Sequence, residues 1–255
     1  MKKILSVASV TFKESIRNRT VLAIILLALA FAISALLLAA MALDQRVRVI
    51  TDWGLFCLSA FGVALAILIG VSLVHKEVVR KTLYVVLSRP LGRWQYVVGK
   101  FLGELGVLLI EVVLISIVLV AMLIGEGQTP GMLLYKAMVL STAEIVLVAA
   151  LALFFSSFSS PYLSGFFTLG LFVAGRSLEV LEKLIDKVQI PWVHTVLKAG
   201  YYLLPDFASF NLAPRVVNDL PITGAELGSA LIYGAGYTLV LLFLSCLIFS
   251  RRELV

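Results

Sequence analysis

Six blocks of apolar residues along the 255-residue chain are each long enough to form a membrane-crossing helix, and more polar stretches separate them. The blocks are Val21 to Leu43, Trp53 to Val74, Val97 to Ile124, Leu133 to Phe158, Tyr162 to Leu181 and Leu227 to Ser250. At about 1.5 Å per helical residue, each can cross a hydrocarbon core of about 30 Å. Two of the breaks carry turn chemistry. GEGQTPG at 125 to 131 holds three glycines and a proline, and SSFSSP at 156 to 161 offers hydroxyls to a helix end and a proline to the next first turn. Residues 1 to 19 follow a different pattern. Ile4, Val7, Ala8, Phe12 and Ile16 share one helical stripe, with Lys2, Lys3, Lys13, Arg17 and Arg19 largely elsewhere, which predicts a helix lying in the membrane interface. A cleaved signal peptide fits less well, because the apolar run that follows far exceeds an h-region of about 7 to 15 residues.

Composition places this pattern in a class. With 61% hydrophobic residues, 14% charged residues and a mean hydropathy of +1.07, the apolar surface exceeds what one soluble core can bury. The expectation is an all-α, multi-pass membrane protein forming one domain over residues 1–255. A net charge of +6 would point to nucleic acid in a soluble chain, but here it is explained by loop charge and no nucleic-acid partner is expected. If the N-terminus is cytoplasmic, that side collects thirteen of the 21 Lys and Arg, with both termini inside a plasma or prokaryotic inner membrane. Cys57 and Cys246 then fall near opposite faces, too far apart for a disulfide. His75 and His194 are likewise separated, and no metal site is expected.

The densest charge lies in HKEVVRKTLYVVLSRPLGRWQYVVGK, residues 75 to 100, between the second and third spans. Over 76–88, Val78, Leu83, Val86 and Leu87 form an apolar face, while Lys76, Glu77, Arg80, Lys81 and Arg89 face water or a partner. Pro90 ends the helix, and Gly92 to Lys100 begins the return into the membrane. Topology alone accounts for the sign of these charges, but it does not account for their amphipathic order.

The segment between the fifth and sixth spans, 182–226, is too short for an independent core. Leu178, Leu181, Leu184, Ile185 and Val188 recur at helical spacing, and Pro191, Trp192 and the run from Tyr201 to Pro205 read as interfacial. A lid packed on the spans is expected. Inside the spans, Glu104 and Glu111 are seven residues apart on one face and Glu144 lies midway along the fourth span. Carboxylates in lipid are costly, so these three line a translocation path or form a polar seam between helices. Arg176, near a span end, is expected to snorkel. Gly99-x-x-x-Gly103 and Gly224-x-x-x-Gly228 allow close helix approach.

The run KEVVRKTLYVVLSRPLGRWQYVVGKFLG resembles the pattern between the second and third spans of type-two ATP-binding-cassette (ABC) transporter permeases. The matching features are an acidic residue, a basic residue and Thr, two aliphatics, Ser-Arg-Pro, a basic residue and Gly-Lys; the family's usual Gly before the Thr is Lys81 here. The N-terminal helix with Lys13, Glu14 and Arg17, the six spans, and YYLLPDFASFNL at 201–212 resemble the branch containing the nitrous-oxide-reductase maturation permeases, which act for a multicopper enzyme. The resemblance implies that 76–88 is a coupling helix docking on a separate ATPase subunit, with Glu77, Arg80, Thr82 and Ser88-Arg89-Pro90 at or beside the contact. It also implies a second permease subunit, identical or similar, and ATP with Mg held in the partner ATPase. This chain is not expected to hydrolyse ATP, since Gly99-Lys100 is followed by Phe101 and lacks the phosphate-cradling G-x-x-x-x-G-K-[ST] pattern. Export is the expected direction. The rival classes are a gradient-driven transporter or channel using Glu104, Glu111 and Glu144, a membrane enzyme, and a permease-like subunit that passes mechanical energy to an extracytoplasmic partner. Against the first, no internal repeat and no glycine-proline break within a span are seen, and against the second, no nucleophile, base and metal set is found.

Overall fold

The computed structural model describes residues 2–42, 45–79, 92–185, 193–194, 198, 200–201, 204–218 and 220–251. Among these the chain is helical, with no strand. Helices α1 (Lys2–Ile16), α2 (Arg19–Ile33), α3 (Ala35–Met41), α4 (Arg46–Val79), α5 (Arg93–Gly125) and α6 (Met132–Ser156) come first. They are followed by α7 (Pro161–Arg176), α8 (Leu178–Ile185), a 3-10 turn (Ala208–Phe210), α9 (Ala213–Val217) and α10 (Gly224–Arg251).

Five stretches among the described residues are long and apolar enough to cross a membrane: Arg19–Met41, Arg46–Ser72, Arg93–Gly125, Met132–Ser156 and Gly224–Ser250. They correspond to five of the six predicted spans. The first is bent at Ser34, where α2 gives way to α3. The Ser34 hydroxyl donates to the Phe31 carbonyl at 2.6 Å, and the Trp53 indole N–H from α4 donates to the same oxygen at 2.9 Å, so a backbone group released at the bend is satisfied. The remaining predicted span, Tyr162 to Leu181, is divided. Helix α7 ends at Arg176 after 16 residues. There the Ser177 hydroxyl caps the Val173 carbonyl at 2.9 Å, and α8 begins at the next residue.

The turns follow the local chemistry. Gly127, at φ 76°, closes α5 in the left-handed conformation glycine tolerates, with Gln128 N–H donating to Leu123 O at 3.0 Å and Gly127 N–H to Ile124 O at 2.9 Å. Pro161 sits in the first turn of α7, and the Ser157 hydroxyl donates to the Phe154 carbonyl at 2.6 Å.

Helices α4 and α6 form the centre and pack along each other, with α5 against α4, α7 against both, and α10 against α6 and α5. Small residues permit the closest approach. A Cβ placed on Gly62 would stand 2.3 Å from Ile145, and one on Gly70 2.7 Å from Ala152, so α4 meets α6 at glycine. The outward faces remain apolar, with Phe166, Ile232, Leu239 and Phe243 exposed, as suits contact with lipid or another membrane chain. The bundle has two ends. One, here the basic end, carries the α1–α2 junction, the end of α4, the start of α5 and the end of α10, joined by Arg93 donating to Ser250 O at 2.7 Å. The opposite end carries 125–131, 204–218 and 220–226.

Candidate functional site

Glu144 is 1% exposed at the middle of α6. The Ser59 hydroxyl of α4 donates to its Oε2 at 2.8 Å, and Arg176 of α7 donates to its Oε1. Arg176 also donates to the Ser59 oxygen at 3.0 Å, and its guanidinium lies 5.7 Å from the Phe172 ring centre. One carboxylate therefore ties three helices together in the interior. Snorkelling is not what Arg176 does, because α7 stops at mid-bundle and leaves the guanidinium level with Glu144. Charge neutralisation there outweighs reaching for the interface. Sequence reasoning missed this pair and Ser59. A signal was present: folding α6 and α7 antiparallel about the 157–160 turn puts Glu144 opposite Val173, one turn before Arg176.

Glu104 and Glu111 are both fully buried on α5, sharing a face as their spacing requires. Glu104 lies beside the α4 backbone, since a Cβ on Gly70 would stand 3.1 Å from its Oε1. No described group completes a hydrogen bond to either carboxylate. All three acids thus point into one chain's interior.

Near Glu104, Lys100 is 4% exposed, with its Nζ 5.6 Å from the Tyr96 ring centre. Helix α1 lies along this part of α5. Cβ atoms on Gly99 and Gly103 would stand 2.7 Å from Val7 Cβ and 2.7 Å from Ala8 O, so the Gly99-x-x-x-Gly103 pair is the seat of α1. The stripe predicted for α1 is the face applied to α5. The other pair behaves differently, with nothing within 4 Å of a Cβ on Gly224 or Gly228.

Of the predicted coupling segment, Lys76 and Glu77 lie on α4, which runs without a break from Arg46 through Val79. Arg80, Lys81, Thr82, Ser88, Arg89 and Pro90 lie outside the described residues, as do Pro191 and Trp192 of the far segment. The part of that segment from 204 to 217 packs into the opposite end of the bundle. Phe207 and Phe210 are fully buried, and Phe207 meets Phe172 at 5.3 Å between ring centres. Its N–H donates to Gly175 O at 3.3 Å, while the Asp206 N–H donates to the Tyr233 hydroxyl at 3.0 Å. Irregular backbone at this depth persists because protein, not lipid, surrounds it.

Comparison with known proteins now bears on this architecture. The model of the ABC-2 family transporter protein matches residues 5–254. The chain is also 28% identical over 278 aligned positions to a protein described as "Probable ABC transporter permease protein NosY" from Stutzerimonas stutzeri, covering 99% of each. A helical membrane bundle matched over nearly its whole length assigns it: the chain belongs to the ABC-2 family and is a membrane subunit of an ABC transporter.

Proposed function

We propose that the chain is half of a dimeric exporter in which a separate ATPase, holding ATP and Mg, drives the bundle through the segment 76–90. The observation that carries this reading is the continuity of α4 through Val79 together with its packing against α5 and α6. A push on the segment that joins α4 to α5 reaches both helices and, through them, the core. Lys76, Glu77, Arg80, Lys81, Thr82, Ser88, Arg89 and Pro90 form the contact with the ATPase. Six crossings and cytoplasmic termini complete the topology. Support for the sixth crossing comes from chain direction: α6 ends at the basic end and α10 starts at the opposite end, so residues 157–223 carry the chain between them. In this topology α1 occupies the inner interface while resting on α5.

The full burial of Glu104, Glu111 and Glu144 inside one chain favours the polar seam over the wall of a path between two chains. A substrate path then runs along the outward apolar faces where the two bundles meet. Passing motion to an extracytoplasmic partner through the 204–217 segment uses the same coupling and is the second form of this reading, favoured by the seating of Phe207 and Phe210 between α7 and α10.

Reconstitution with the cognate ATPase tests the proposal. Glu77→Ala or Arg80→Ala should abolish the stimulation of ATP hydrolysis by the membrane subunit while leaving insertion intact. Undiminished stimulation in both variants would contradict the assignment.

A further inference from the structure

At the basic end, residues of α1, α2, α4 and α5 line a cavity of about 880 Å3. Its lining divides by chemistry. Lys13 and Arg17 from the end of α1, with Lys100 from α5, supply positive charge, and Glu14 is the acidic residue among the described lining. Val21 and Ile24 of α2 and Leu68 and Ile69 of α4 supply an apolar part of the lining. Ser15 and Asn18 also line it. Lys100 is not a surface charge: it stands two turns into α5 and is 4% exposed. Basic side chains and apolar side chains on one cavity between helices are complementary to one class of molecule, in which a phosphate is joined to acyl chains. A soluble anion would use the basic side chains and leave the apolar lining uncovered, and a neutral lipid would cover the apolar lining without using Lys13 and Arg17.

We propose that this cavity is a binding site for an anionic phospholipid, its phosphate held by Lys13 and Arg17 above Lys100 and one acyl chain lying against Val21, Ile24, Leu68 and Ile69. A lipid bound there bridges α1, α2 and α4, and so fastens the N-terminal helix to the bundle.

Native mass spectrometry of the full chain in detergent, titrated with phosphatidylglycerol or phosphatidylcholine, tests the proposal. The parent should retain phosphatidylglycerol at least fivefold more than phosphatidylcholine. The double change Lys13→Gln with Arg17→Gln should remove that preference, while Arg46→Gln with Arg48→Gln, at the opposite end, should preserve it. Leu68→Trp, which fills the apolar part of the cavity without altering charge, should lower retention of phosphatidylglycerol, and this variant decides the matter if the double change fails to fold. Equal retention of the two lipids by the parent, or unchanged preference in both cavity variants, would overturn the site. Release of phosphatidylglycerol by millimolar inorganic phosphate, with phosphate itself retained, would make it a soluble-anion site and overturn the lipid assignment.

Discussion

Arg176 and Glu144 show how a single residue's meaning depends on depth. Removing Arg176 leaves Glu144 buried at 1% exposure with the Ser59 hydroxyl as its donor and no counter-charge among the described residues. Arg176→Ala should therefore destabilise the protein by on the order of 3 kcal/mol. Replacing both charges, as Arg176→Leu with Glu144→Gln, should cost clearly less, because no uncompensated charge remains. Thermal unfolding in detergent reads the difference, and equal losses in the two variants would show that the pair is not a unit. The sequence made Glu144 conspicuous as a mid-span acid but hid its partner, since Arg176 seemed to stand at a span end. Only where α7 stops, at Ser177, brings the two to one level. Glu104 and Glu111 were legible as a shared face from their spacing, and their burial from the length of apolar sequence around them; what packs beside them was not.

Elements carry the same lesson at larger spacing. Two glycine pairs with identical spacing have different environments: Gly99 and Gly103 receive α1, while a Cβ added to Gly224 or Gly228 would meet open space among the described residues. Gly103→Val should separate α1 from α5 and cost about 1–3 kcal/mol, as overpacking does. Gly228→Ala, by contrast, should be neutral or stabilising by up to about 1 kcal/mol, since alanine favours the helix. Unfolding midpoints of the two variants decide this, and a loss at Gly228 as large as that at Gly103 would refute it. Spacing alone cannot distinguish the pairs because helix neighbours are set by tertiary packing. Apolar length and turn residues, in contrast, predicted five spans well, as the Gly127 and Pro161 turns illustrate. The bend at Ser34 escaped notice because it depends on Trp53, a residue of another helix.

At the scale of the whole molecule, membership in the ABC-2 family and the packing of α4 on α5 and α6 meet at the basic segment between them. A subunit of this family works with ABC transporter partners such as an ATPase, and the proposed contact is that segment. The most direct test is mass spectrometry of what co-purifies with the tagged chain in mild detergent from its own cells, beside a variant carrying Glu77→Arg and Arg80→Glu. The coupling account predicts a near-stoichiometric soluble ATPase with the parent and its loss from the variant. An ATPase retained equally by both, or absent from both, would contradict it.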